Sequence, residues 1–294
     1  MIHSKSNRRY QFMINVILII VTIIMVAPII LLFMSSISSE RSLLVYGYSF
    51  VPKEFSLEAY QYIFSNAQTI FRAYGITILV TIVGTACNLI LSSMTAYALS
   101  VRKLPCRNVI SFYIFFTMLF NGGLVPSYLM WTSIFHIKNT IFALIVPNFM
   151  LSAMNVILIR TYYSSSIPEA LYEAAKIDGS SELKLLLKVV LPMSLPIIAT
   201  VGLLVGLGYW NDWLNGLYYV NDDRLYSIQV LLNKMLLNAE AMKKAASAGV
   251  MGGPLPSTGM KMAVAVLGAL PVLVMYPFFQ KYFVKGITVG AVKG

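Results

Sequence analysis

The stretch SIPEALYEAAKIDGSSELKLLLKVVLP, residues 166–192, mixes acids and bases closely within a chain otherwise built of long apolar runs. A segment of that composition stays in water between membrane spans, which makes it a contact surface. Ser166 followed three residues later by Glu169 has the spacing of a capping box, and Pro168 in a first turn costs little because amides there lack intrahelical acceptors. A first helix therefore starts near Ile167. Gly179 suits the left-handed position that ends it, Ser180 or Ser181 caps a second helix, and Pro192 interrupts or kinks that second helix. On the first helix Leu171, Ala174, Ala175 and Asp178 recur three or four residues apart, a narrow face of small and apolar groups flanked by Glu169 and Glu173. Such a face docks closely in a groove. The plainer alternative is an amphipathic connector lying on lipid headgroups.

Outward from this stretch the chain is a series of uncharged runs. At 294 residues, 58% hydrophobic and 11% charged, it is too apolar for an ordinary soluble domain and reads as one transmembrane domain. Six runs are long enough to cross a bilayer, at about 12–34, 74–100, 109–131, 139–160, 189–211 and 262–280. The expected fold class is thus an all-α polytopic membrane protein, six transmembrane helices with a cytoplasmic helix-turn-helix at 166–192 and an outside loop at 211–259. Asn121, Gly122, Gly123 and Pro126 predict a bent exit from the third run, Pro147 interrupts the fourth, and Pro271 and Pro277 predict kinks in the sixth. A short interfacial helix is expected after Ser56, and a helical segment around 228–248 in the last outside loop. Gly202 and Gly206, four residues apart, let another helix approach the fifth run; packing is preferred over a gating hinge. The first run is too long for the core of a signal peptide and is read as an anchor.

The formal charge is 22 basic minus 11 acidic residues, or +11, and because the bases flank apolar runs the partner is membrane lipid and not nucleic acid. With the N-terminus inside, thirteen of the 22 Lys and Arg fall on inside segments and the remaining nine lie mostly in long loops, where the orientation rule is weak. Both termini are then cytoplasmic. Cys87 sits in an apolar run and Cys106 in a short basic loop, so no disulfide is expected between them.

Glu173-Ala174-Ala175, three residues, Gly179, and then Leu191-Pro192 resemble the EAA loop of bacterial ABC importer permeases, and Ile167-Pro168 with Ile177-Asp178-Gly179-Ser180 resemble its carbohydrate-importer, maltose-type form. The likeness extends to AYALS at 96–100, NGGLVPSY at 121–128, YWNDW at 209–213 and YPFFQKYFVKGITVGAVKG at the end, and is greatest toward the second-permease branch. The resemblance implies a type I importer permease, half of a heterodimeric transport unit. Two cytoplasmic ATPases would bind ATP and Mg, and an extracytoplasmic solute-binding protein would deliver a carbohydrate, expected to be an oligosaccharide. It implies that Glu169, Glu173, Ala174, Ala175, Asp178 and Gly179 belong to a coupling helix seated in a groove of the ATPase.

The chain itself carries no GxxxxGK[ST] phosphate loop, no HExxH or GxSxG motif and no Cys-His cluster, with His3 and His136 isolated. It is read as a non-enzymatic subunit without a catalytic residue, metal or cofactor of its own. A proton-coupled secondary transporter is the rival reading, but between their end residues the six runs hold no Asp, Glu, His, Lys or Arg to change charge inside the membrane. Sodium coupling through backbone carbonyls is not excluded that way, and a non-transporting scaffold is the third reading. For a sugar path, Tyr209, Trp210, Asn211, Trp213 and Asn215 offer aromatic faces and amides near the outer end of the fifth run, although Trp and Tyr also gather at membrane interfaces for physical reasons alone. Gly249, Gly252, Gly253 and Pro254 form a narrow outside loop. By resemblance it enters the cleft of the binding protein; the alternative is a flexible connector.

Overall fold

A computed structural model describes residues 5–65, 67–101, 103–147, 150–177, 179–247 and 258–291. Among them the structure is helical, without a strand and with an isolated bridge between Ser38 and Phe55. The chain divides into two compact units, Met1–Ala67 with Leu232–Pro271 and Gln68–Leu231 with Val272–Gly294.

The first unit opens with α1 (Lys5–Ser36), whose 27 residues from Tyr10 to Ser36 extend about 40 Å, more than a bilayer core. Its apolar side chains are uncovered, Met25 being 70% exposed, so they require lipid or a partner. The chain then turns through two short helices, α2 (Glu40–Tyr46) and α3 (Glu58–Phe64). Ser39 caps α2 by accepting the Ser42 amide at 3.1 Å, and Ser56 accepts the Glu58 amide at 3.2 Å at the start of α3, where the sequence placed it.

In the second unit α4 (Ala67–Ser100) is the long central helix. Helix α5 (Arg107–Leu119) and α6 (Leu124–Leu129) are separated by a 114° bend. The bend follows from sequence: Asn121 accepts the Gly123 amide at 2.8 Å, Gly123 takes φ +86°, and Pro126 falls in the first turn of α6. A wide π turn over Met130–Ile134 continues α6. The run expected as a fourth span does not form one helix. It gives α7 (Phe142–Ile145), a break at Pro147, and α8 (Ala153–Ser166), because proline supplies no amide donor and obstructs the preceding turn.

Ile167 is extended, as a residue before proline prefers, and this separates α8 from α9 (Glu169–Ile177). Ser166 therefore closes α8, and α9 begins two residues after the expected start. Next come α10 (Glu182–Leu185), a π turn over Leu186–Val190, and α11 (Leu191–Met193), which an 84° bend joins to α12 (Leu195–Asn211). The wider turn relieves the contact between the Pro192 ring and the carbonyl one turn earlier. Helix α12 lies along α4 through small residues: a Cβ on Gly202 would stand 3.2 Å from Leu89, and one on Gly206 would stand 3.5 Å from Thr85. The packing reading of these glycines agrees with that geometry. Helix α13 (Leu214–Tyr219) follows directly.

Helix α14 (Ile228–Ser247) begins where Ile228 donates its amide to Thr77 Oγ1 of α4 at 2.8 Å, and α15 (Thr258–Ala291) is the last long helix. Within the first unit the Glu40 carboxylate accepts the amides of Thr258 and Gly259 at 3.0 and 2.9 Å, capping α15 from α2. Lys261 pairs with Glu240 at 2.6 Å between α15 and α14. Among the described residues three helices, Tyr10–Ser36, Ala67–Ser100 and Thr258–Pro277, are long and apolar enough to cross a membrane, or up to five if each of the two bent pairs is one span.

Candidate coupling surface and transport path

The stretch 166–192 forms a helix, a tight turn and a helix. Gly179 takes φ +71°, the left-handed state expected of it, and the Ser180 amide reaches back to the Ala175 carbonyl at 3.0 Å, the closing bond of a Schellman motif. Of the two candidate serines, Ser181 caps α10 through the Lys184 amide at 3.4 Å. Glu169, Glu173, Ala174 and Leu171 are exposed and Ala175 is half-buried; Asp178 lies outside the described residues. At the end of α9, Ile177 is 86% exposed, with Leu183 and Leu187 also uncovered. The helix thus presents a small, apolar tip flanked by carboxylates.

Three residues to which the sequence assigned no role, Tyr97, Tyr172 and Glu182, anchor this tip. Tyr97, in the AYALS segment at the end of α4, donates its hydroxyl to Glu182 in the first turn of α10, and its ring stacks on Tyr172 of α9 with centroids 6.5 Å apart. Tyr163 of α8 is fully buried, as are Leu185 of α10 and Val190 of the π turn that follows it. The tip is therefore attached to α4 by a charge-assisted bond and an aromatic contact. The available signal was the tyrosine in AYALS.

The five aromatic and amide residues proposed for the sugar path occupy different environments. Tyr209 and Trp210 are buried, Trp210 against Tyr74 with rings 6.4 Å apart. Tyr209 donates its hydroxyl to the Ile145 carbonyl at 2.7 Å, and the buried Asn215 donates to the Pro147 carbonyl at 3.2 Å. Both side chains thereby satisfy carbonyls left open where α7 breaks. Gly84 makes room for this: a Cβ there would fall 2.4 Å from the Tyr209 ring. Asn211 and Trp213 remain exposed. Burial pushes the Asp212 carboxyl up from its ordinary value, against the opposing effect of the Asn215 amide that donates to it at 3.2 Å. The loop residues Gly249, Gly252, Gly253 and Pro254 lie outside the described residues.

Residues 88–289 match the model of the binding-protein-dependent transport system inner membrane component family. The chain belongs to that family. As a member it is the membrane component of an ABC importer, a non-enzymatic subunit whose ATPase is a separate partner. It is 38% identical to the polygalacturonan/rhamnogalacturonan transport system permease protein YtcP of Bacillus subtilis (strain 168), over 98% of this chain and 100% of that one. Over 92% of this chain and 90% of the relative it is 36% identical to protein LplC of the same organism. Among solved structures it resembles a chain of a bacterial ABC transporter involved in the import of the acidic polysaccharide alginate, with a TM-score of 0.80 and 31% identity over 96% of this chain and 99% of that one.

Proposed function

We propose that this chain is one of two permease subunits of an ATP-driven importer, forming half of the path for a carbohydrate, expected to be an oligosaccharide. The observation that carries the coupling part is the tip of α9: an apolar residue 86% exposed beside a left-handed glycine, held to α4 through Tyr97. An exposed apolar tip on a chain of this family fits a groove in the cytoplasmic ATPase, and Glu169, Glu173, Ala174, Ala175, Asp178 and Gly179 are the contact set. The reading also includes six spans, with α7 and α8 as a broken fourth, both termini cytoplasmic, and a solute-binding protein outside. ATP and Mg belong to two ATPase subunits, and the partner permease is a different chain. Carbohydrate is the cargo because the relative YtcP is named for polygalacturonan/rhamnogalacturonan transport and the structural neighbour is involved in the import of alginate. Asn211 and Trp213 are the path candidates open to sugar, while Tyr209, Trp210 and Asn215 support them from behind.

The test is co-purification from native membranes with intact-mass analysis, followed by uptake of labelled oligosaccharides in the presence of the cognate binding protein. A complex of two different permeases and two ATPases that accumulates an oligosaccharide is expected. A stable complex lacking a second permease, or uptake driven by an ion gradient without ATP, overturns the proposal.

A further inference from the structure

Of the six apolar runs, none carries as many Ser, Thr and Asn residues as 74–100. On α4 they are not scattered. Thr77, Thr81, Thr85, Asn88 and Ser92 recur four, four, three and four residues apart, which places them within about 80° of one helix face. The row is about 22 Å long, most of the depth of a bilayer core. The opposite face is apolar, with Leu79, Val83 and Ile90 uncovered, and offers a sugar no hydrogen bond.

Ordinary packing accounts for part of the polar row. Thr77 donates to the Ala73 carbonyl at 2.9 Å and accepts the Ile228 amide at 2.8 Å, while Asn88 Oδ1 accepts Ser92 at 3.2 Å and Asn155 of α8 at 3.3 Å. Thr81 and Thr85 differ. Their hydroxyls are buried without a hydrogen-bond partner among the described residues, although Thr22, Thr95 and Thr200 each satisfy theirs on the carbonyl four residues back. Both lie under Gly206 of α12: a Cβ there would stand 3.5 Å from Thr85 Oγ1 and 3.9 Å from Thr81 Cγ2, so the covering residue has no side chain to answer them. Open buried hydroxyls are destabilising, and two on consecutive turns mark a surface shaped for something other than α12. Hydroxyls both donate and accept without carrying charge, which suits the hydroxyls of a sugar and not an ion. The row is also continuous with the path candidates, since Gly206 lies about 8 Å along α12 from Asn211 and Gly84 meets the Tyr209 ring.

We propose that this face of α4 is the inner length of the sugar path, closed in this structure by α12, and that Thr81 and Thr85 bind sugar hydroxyls when α12 withdraws. The inference rests on the carbohydrate-importer reading above and adds residues that the cargo meets within the membrane.

The complete importer in proteoliposomes, with its binding protein and ATP, is assayed for uptake of a labelled oligosaccharide that the parent accumulates. Thr81→Val and Thr85→Val keep the shape and remove the hydroxyl. Each is expected to lower uptake about three- to tenfold, the scale of one hydrogen bond, while the melting temperature of the complex equals or exceeds the parent's, because no bond is lost in this state. Thr81→Ser and Thr85→Ser retain uptake. A melting temperature that falls with valine, or uptake that stays at the parent rate, overturns the inference and leaves the threonines as packing. If a valine variant does not assemble, accessibility decides instead. With Cys87→Ser and Cys106→Ser as background, Thr85→Cys is expected to react with a charged, membrane-impermeant thiol reagent during ATP hydrolysis but not at rest, with the oligosaccharide slowing the reaction. Outward-facing Val83→Cys is expected to react in neither state. Equal reactivity of Thr85→Cys in both states, or no protection by the oligosaccharide, overturns the sugar site. Failure of the importer reading shows separately and earlier, as a parent complex that accumulates no oligosaccharide.

Discussion

At the scale of single residues, the two glycines that decide most do so for opposite reasons. Gly179 has open space around a hypothetical Cβ but a φ of +71°, so backbone conformation alone restricts it. Gly179→Val should cost about 1–2 kcal/mol through the left-handed state, and Gly179→Asn distinctly less. Hydrogen exchange across 169–180 in the purified complex checks this: faster exchange is expected in the valine variant, with the asparagine variant near the parent. Gly84 has an ordinary helical backbone but no space, because the Tyr209 ring occupies the position. Gly84→Ala should displace that ring and break its 2.7 Å bond to the Ile145 carbonyl, costing about 1–3 kcal/mol. Tyr209→Phe removes the same bond, so the double variant should be less destabilised than the sum of the singles, as thermal unfolding in detergent would register. Additive losses would show that the two residues act independently. The left-handed glycine was legible because its neighbours announce a helix end. Gly84 was not, since nothing local in an apolar helix reveals which neighbour approaches it.

At the scale of elements, helix limits were legible where a capping residue or proline stands beside them and obscure where the partner is distant in sequence. The bend between α5 and α6 follows from Asn121, Gly123 and Pro126, and Pro147 announced an interruption in the fourth run. The caps of α14 and α15 were invisible, because Thr77 lies 151 residues before Ile228 and Glu40 lies 218 residues before Thr258. The aromatic and amide cluster at the end of α12 was visible as composition, but its direction was not: Tyr209 and Asn215 turn inward to the α7 break while Asn211 and Trp213 stay exposed. Glu40→Ala should leave the first amides of α15 open and destabilise that helix start by about 1–2 kcal/mol. The expected signature is faster exchange at Thr258 and Gly259 with the rest of α15 unchanged; unaltered exchange there would deny the cap. For Asp212 the raised carboxyl value sets a sign. Folding favours its protonated form, a contribution fully present below the ordinary carboxylate range and lost as pH rises through the raised value. Thermal unfolding of Asp212→Asn should lack that pH-dependent part of the parent's profile.

At the scale of the whole molecule, coupling requires that movement of the α9 tip reach the membrane helices, and helix packing alone permits sliding. The Tyr97 hydroxyl on Glu182, with the ring of Tyr97 on Tyr172, instead ties both helices of the turn to the end of α4. The same α4 packs along α12 at Leu89, Thr85 and Gly84, and the Tyr209 ring at that contact holds the α7 break through Ile145. A contiguous set of contacts therefore joins the tip proposed to face the ATPase to the region proposed as the sugar path, and the Tyr97 hydroxyl ties the second helix of the turn into it. Tyr97→Phe keeps the stacked ring and removes only the bond to Glu182. The variant is expected to assemble with the ATPase and hydrolyse ATP, but to import about tenfold less sugar per ATP, the scale set by loss of one hydrogen bond to a charged group. Proteoliposomes containing the complete complex and its binding protein allow both rates to be measured on one preparation. If hydrolysis and uptake fall together, or neither changes, Tyr97 supports the fold of the tip without transmitting its movement.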